Sequence, residues 1–381
     1  MSGYQSAWMD DELRMFRTSL RKFLQKEFAP QQARWCEQKR PDAAAWLAAG
    51  VVGMLLPDVP VAYGGGGGNF AHATVVTEEL AHAGINFGAA IQGIVARYLL
   101  TYASAAQKQR WLPAMARGEL IGAIAMSEPG AGSDLQAIRT SARRVGDRYF
   151  INGTKTFISN AAHAGIICLA VKTDAGATGP KGISMIVVET GDLCGYEVGQ
   201  ALEKSGMHGQ DTCELFFNDV SVPAANLLGG VEGRGFAQMM EQLPYERLLI
   251  AVGAVAMMES AVEITTRYVQ ERSVFGKPLM DFQNTRFKLA ECGTEAHIGR
   301  VFLDDCIERC IAGQLDDATS AMAKYWLTEC QCRIVDECLQ LFGGYGYMTE
   351  YPIARMWADS RVQRIYGGTN EIMKEVIACS L

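Results

Sequence analysis

Several things are scarce in this 381-residue chain, and each scarcity removes a class of function. Only five histidines occur, His72, His82, His163, His208 and His297, and their scatter offers no spacing for a metal site. Each is expected to be a surface or packing residue. No Cys-x-x-Cys pair is present. The eleven cysteines are odd in number, and Cys330, Cys332 and Cys338 fall in a helical stretch. That placement fits reduced, mostly buried thiols of an intracellular protein better than a disulfide framework. Long apolar runs are missing too: the longest, 248–258, has eleven residues, too few to span a bilayer. Met1 to Asp11 holds no hydrophobic signal core, and Asp10, Asp11 and Glu12 do not suit a transit peptide. Ala378 to Leu381 is neither a prenylation box nor a good peroxisomal tripeptide, so a cytoplasmic protein is the expectation. Basic residues form no cluster and the net charge is −7, which speaks against nucleic acid and anionic membranes as partners. No Gly-x-Gly-x-x-Gly follows a strand, and the run Gly64 to Gly68 lacks the Gly-Lys-Ser/Thr of a P-loop. The latter reads as a flexible turn.

What is present is an ordinary globular balance, 49 % apolar and 20 % charged, in a chain long enough for two or three packed units. Residues 1–120 read as helical: Leu13, Phe16, Leu20, Phe23 and Phe28 recur at roughly helical spacing, Asp10 or Asp11 can cap, and Pro30 helps stop the helix. A helix is also expected over 70–82. Residues 121–228 change texture, with strand-like runs at 149–159, 165–173, 182–190 and 213–217 separated by turn residues. An antiparallel β-barrel or sandwich follows, closed by Pro223 and Gly229-Gly230. Residues 229–381 return to helix, with a stripe of Met322, Trp326, Cys330, Ile334, Cys338 and Leu341 that ends at Gly343-Gly344. The expected class is therefore a mainly α, multidomain α+β protein.

Five segments in order carry a resemblance. Ala125 to Asp134 (Ala-Met-Ser-Glu-Pro-Gly-Ala-Gly-Ser-Asp) and Gln340 to Tyr347 (Gln-Leu-Phe-Gly-Gly-Tyr-Gly-Tyr) resemble the two signatures of the acyl-CoA dehydrogenase family. Asn152 to Asn160, Arg272 to Pro278 and Ile365 to Ile372 match further segments, and Asp211 to Val220 resembles the end of the family's β-domain. The likeness covers nearly the whole chain and is nearest to the long-chain and isovaleryl branch. It implies an N-terminal helical domain, a middle β-domain and a C-terminal four-helix bundle. It also implies FAD at a dimer interface, a homotetramer built as a dimer of dimers, an acyl-CoA substrate and a role in fatty acid β-oxidation. A separate electron-transfer flavoprotein is implied as electron acceptor.

Drawing a proton from the carbon beside a thioester needs a base above that carbon and polarisation of the carbonyl. The β-hydrogen then leaves to flavin N5. Many family members carry the base as a Glu just before Gly-Thr, where this chain has Gly367 followed by Gly368 and Thr369. The long-chain and isovaleryl branch places a Glu instead before the long apolar run, and Glu246 in Leu243 to Leu248 resembles that site. Pro244 suits a helix start, which would put Glu246 in a first turn where the dipole favours its charge and a dry pocket opposes it. Taken alone, Glu246 is a helix-steadying acid paired with Arg247; beside Gly367 and the family motifs it reads as the base.

By the same resemblance Ile124, Met126, Ser127, Phe157, Ile158 and Ser159 lie along the flavin, with Phe where the family often has Trp. Ser133 serves the pyrophosphate and the thioester arm. Arg272, Phe275 and Gln283 reach a neighbouring subunit's FAD, Gln340, Gly343 and Gly344 its adenosine side, and Thr369, Asn370 and Glu371 its pyrophosphate. Tyr245, Arg247, Tyr366, Gly367 and Gly368 join Ser133 and Glu246 around the substrate, with the thioester oxygen held by the ribityl hydroxyl and the Gly367 amide. Medium, long or branched acyl chains are expected. The remaining readings are an oxidase (usually a longer chain), a dehydrogenase of a terpenoid or carrier-protein-bound thioester, and a non-catalytic FAD- or acyl-CoA-binding protein.

Overall fold

A computed structural model describes residues 4–174, 176–177 and 179–381. The N-terminal part is helical: α1 (Asp11–Phe23), α2 (Gln32–Gln38), α3 (Ala43–Val51), α4 (Phe70–His82), α5 (Ala89–Tyr102) and α6 (Ala105–Ala116). Asp10 caps α1 by accepting from the Leu13 amide at 2.8 Å, satisfying one of the orphan N–H groups of the first turn. Pro30 does not end the helical path. A wide turn (Leu24–Phe28) and a tight one (Ala29–Gln31) carry the chain past it into α2. The glycine run is not the flexible turn expected. The amides of Gly66, Gly67 and Gly68 donate to Leu56, Val59 and Pro57 carbonyls at 3.1, 2.8 and 2.9 Å. A Cβ on Gly65 would lie 2.2 Å from the Val59 carbonyl oxygen, so glycine is needed there for close backbone packing.

The middle part is one seven-stranded sheet of β1 (Ile121–Ala125), β2 (Ser141–Val145), β3 (Arg148–Ser159), β4 (Ala164–Lys172), β5 (Ile183–Glu189), β6 (Tyr196–Val198) and β7 (Thr212–Pro223). The order is β1-β4-β2-β3-β7-β6, with β5 also on β4. Pairing is antiparallel for β2–β3, β3–β7, β4–β5 and β6–β7, but β1 runs parallel to β4, a departure from the antiparallel expectation. The chain leaves β1 and spans β2 and β3 before returning as β4, a crossover long enough for a parallel pair. Strand β4 shows why the sheet holds the domains together. Ile166, Cys168 and Ala170 face the helical core while Ile167, Leu169 and Val171 face the sheet's own core. Burial on both faces is what its unbroken apolar run encodes.

The C-terminal part comprises α7 (Gly235–Glu271), a small hairpin of β8 (Ser273–Val274) and β9 (Lys277–Pro278), then α8 (Gln283–Ile311), α9 (Asp317–Leu341), α10 (Pro352–Ser360) and α11 (Asn370–Ala378). Helix α7 is long and apolar enough to cross a membrane, yet it packs as a core helix on α4, α8 and α9, with Leu248, Val252, Val255 and Met258 buried. Pro244 lies inside α7 and does not open it. Good helix formers from Gln238 to Leu243 and packing on the neighbours carry the helix through the missing N–H. On α9 the buried stripe is Ala323, Leu327, Cys330, Ile334 and Cys338, while Met322 of the expected stripe is exposed.

Candidate active site

Because α7 starts at Gly235, Glu246 sits about three turns in, beyond reach of the helix-end charge. The balance expected between dipole and burial is thus replaced by burial against hydrogen bonding. Protein surrounds the carboxyl, and burial pushes its pKa up to about 7. The Tyr98 hydroxyl, donating to Oε1 at 3.1 Å, and the charge of Arg247 act in the opposite direction. Arg247 forms no ion pair with Glu246; it is buried, with Nε unpartnered, and burial lowers its own pKa.

Glu246 opens on a cavity of about 460 Å³. Ile124, Phe157 and Ser159 of the sheet, Ile250, Gly253 and Met257 of α7, and Tyr366 and Gly367 share its wall. Gly367 and Gly368 have φ of +65° and +88°, a turn that only glycine adopts without strain. A Cβ at Gly367 would stand 2.4 Å from Cδ1 of Ile250, one turn along α7 from Glu246. The space vacated by the missing side chain is therefore filled by Ile250.

A buried lysine fixes this turn. Lys324 Nζ donates to the Gly368 carbonyl at 2.7 Å and to Asn370 Oδ1 at 2.9 Å. Asn370 Nδ2 in turn reaches Thr328 Oγ1 at 3.0 Å and Glu329 Oε1 at 2.9 Å. Asn370 is thus turned into the protein and not toward a cofactor. Thr369 caps α11, and Glu371 is exposed in its first turn. Tyr245 is also drawn away from the cavity: its hydroxyl donates to Asp58 at 2.7 Å and Arg97 lies 4.4 Å over its ring.

On the sheet side, register shifts between Lys155 and Ile158, and Phe157 (φ +60°) is pushed out of the ladder with its ring 69 % exposed. Ile158 points into the sheet core. Lys155 and Glu128 form a buried pair at 2.8 Å. Glu128 also accepts from the Arg139 and Thr140 amides, and Lys155 Nζ holds the Met126 carbonyl at 2.9 Å. These bonds hold the segment carrying Met126 and Ser127 against β3; Ser133 is exposed at its far side.

Arg272, Phe275, Gln283, Gln340, Gly343 and Gly344 are not brought to this cavity. Arg272 is 26 residues beyond Glu246 on α7, about 39 Å at 1.5 Å per residue. Its guanidinium lies 5.6 Å from the Tyr345 ring with no carboxylate partner among the described residues, and Phe275 is 96 % exposed at the hairpin tip. Such a cation and a bare aromatic ring suit the phosphates and ring of a flavin nucleotide. With the exposed Phe157 face and Ser159 at the cavity, and Ser127 on the neighbouring segment held against β3, the donor set fits FAD. Sequence reasoning missed Tyr98 and Lys324; a lysine within the apolar face of α9 was the one visible signal.

A helical–β–helical chain that sets a desolvated, half-buried carboxyl on an apolar cavity shared with Phe157 and Ser159 is a flavin-dependent dehydrogenase. Family models for the acyl-CoA dehydrogenase N-terminal, middle and C-terminal domains match residues 10–119, 123–220 and 233–381. The chain belongs to the acyl-CoA dehydrogenase family, FAD enzymes that act on CH–CH groups. It is 44 % identical over 367 residues to the long-chain specific acyl-CoA dehydrogenase of Sus scrofa, covering 96 % of this chain and 85 % of that protein. Isovaleryl-CoA dehydrogenase of Oryza sativa subsp. japonica is 34 % identical, covering 100 % and 93 %. The crystal structure of an acyl-CoA dehydrogenase from Geobacillus kaustophilus superimposes with a TM-score of 0.96 at 46 % identity, covering 99 % of each chain.

Proposed function

We propose that this enzyme dehydrogenates long or branched acyl-CoA thioesters to trans-2-enoyl-CoA, with Glu246 as the base. One observation carries the assignment: a carboxyl whose pKa is raised to about 7 opens on the cavity wall shared with Gly367. Such a group is half ionised near neutrality and strong enough, once desolvated, to take an activated α-proton. Tyr98 orients it through Oε1, leaving the second oxygen for the proton. The Gly367 amide is the donor proposed for the thioester oxygen, and Lys324 holds the turn that presents it. FAD, when bound, would supply the acceptor for the β-hydrogen and its two electrons. Ser127, Phe157 and Ser159 would hold its ring, and Arg272 of a neighbouring subunit its phosphates, which makes the homotetramer part of the proposal. Electrons then pass to an electron-transfer flavoprotein. The apolar lining contributed by Leu249, Ile250, Gly253 and Met257 supports a long or branched acyl chain.

Anaerobic titration of the FAD-loaded protein with acyl-CoAs from butyryl to octadecanoyl tests this directly. The flavin band is expected to bleach most readily with long chains. Bound flavin that no acyl-CoA reduces would defeat the proposal.

A further inference from the structure

The cavity does not stop where a medium-length acyl chain would. One stripe of α7 forms its wall, from Glu246 through Ile250, Gly253 and Met257 to Ile264. The middle of that wall is apolar. A Cβ on Gly253 would meet nothing nearer than the Thr77 methyl at 3.8 Å, and Thr77 turns its hydroxyl to the Ala73 carbonyl at 2.9 Å.

At the far end the chemistry changes. His82, in the last turn of α4, lines the cavity beside the exposed Ala83 and Gly84. Its Nδ1 shares a 2.7 Å hydrogen bond with Oγ of Ser260, a buried residue on the same stripe of α7 between Met257 and Ile264. His82 makes no other side-chain hydrogen bond among the described residues, so Nε2 is free. Ser260 stands 14 residues beyond Glu246, about 21 Å along the helix. An extended acyl chain advances about 1.25 Å per carbon–carbon bond, so the bonds from C2 to C16 span about 17.5 Å, and a terminal hydroxyl with its hydrogen bond covers the remaining ~3.5 Å to the pair.

We propose that the cavity is built for acyl chains of about sixteen to eighteen carbons bearing a hydroxyl at the ω end, which the His82–Ser260 pair recognises. The inference rests on the dehydrogenase reading above and adds the chemical class of its substrate. A hydroxyl both donates and accepts, and the pair can meet either need: whichever atom holds the shared proton, Nε2 is left as acceptor or donor. A methyl terminus covers Nε2 without satisfying it. An ω-carboxylate fits less well, because the nearby cations Arg17, Arg21 and Arg300 are already paired with Glu78, Glu79 and Glu259.

The test compares kcat/KM of the FAD-loaded oligomer for hexadecanoyl-CoA, 16-hydroxyhexadecanoyl-CoA and the mono-thioester of hexadecanedioic acid. Wild type is expected to favour the hydroxy chain over the plain one by about three- to ten-fold, the effect of one satisfied hydrogen bond. In His82→Leu and Ser260→Ala that ratio is expected to fall to about one. A wild-type ratio at or below unity overturns the proposal, as does a ratio that both variants leave unchanged. Preference for the dioic chain overturns the hydroxyl assignment in favour of a carboxylate. Should all three chains, together with butyryl-CoA and octanoyl-CoA, leave the flavin oxidised, the dehydrogenase reading itself has failed.

Discussion

Replacing Glu246 by Gln should abolish turnover and stabilise the fold, and the stabilisation should depend on pH in a defined way. The carboxyl titrates at about 7 in the folded protein against 4.5 ordinarily. A folded-state pKa raised above the unfolded one means the native state holds more protons between those values. Glu246 therefore costs nothing below pH 4.5, and stability is lost as pH rises through the window to about 7. The rise from 4.5 to about 7 corresponds to about 3 kcal/mol at pH 8. Gln keeps the shape and still accepts from the Tyr98 hydroxyl, so it removes the charge without opening a cavity. Denaturant midpoints of both proteins, FAD-saturated, at pH 4.5, 6 and 8 give the comparison. The Gln variant should match wild type at the lowest pH and exceed it increasingly above. A gain that is absent at pH 8, or the same at every pH, would mean that Glu246 is not held in a desolvated site. Near-normal turnover by the Gln variant would remove it as the base.

Three more perturbations follow from named contacts. Tyr98→Phe removes the donor that favours ionised Glu246, so the apparent pKa of the kcat/KM–pH profile, which reports the free enzyme, should rise by about one unit over wild type, and a fall would contradict the geometry. Restoring the base at the alternative position, Glu246→Gln with Gly367→Glu, should recover only weak activity, because the new Cβ meets Ile250 and the turn has φ +65°. Adding Ile250→Ala should raise that activity, and no increase would show that Ile250 is not the obstacle. Lys155→Met leaves Glu128 charged and without its cation in a buried site, held only by the Arg139 and Thr140 amides, a loss of about 3 kcal/mol. Weakened FAD retention on gel filtration would accompany it, whereas intact stability would show the pair to be dispensable.

Much of the fold was legible because its signals are local. Asp10 caps α1, Asn69 caps α4 over the expected residues, and the four strand runs fall within a few residues of β3, β4, β5 and β7. Where reading by local rules failed, distant packing had intervened. Pro244 marks a helix start in isolation, but α7 is held by α4, α8 and α9 and continues through it. The glycine run looks flexible by composition, yet its amides are bonded to 56–59. Asn370 sits in a motif segment and still turns inward, because Lys324, buried on α9, offers it a stronger partner.

The sequence by itself determined the family and the order of the three domains, and it singled out Glu246, over the glycine at 367, as the base we propose, since ordered motifs and periodicities are properties of neighbouring residues. Only the tertiary structure decided what Glu246 is. Its raised pKa comes from burial, and its orienting partner Tyr98 lies 148 residues away in the chain. Desolvation and hydrogen-bond partners are set by what the fold packs around a group, and no stretch of sequence around Glu246 contains them.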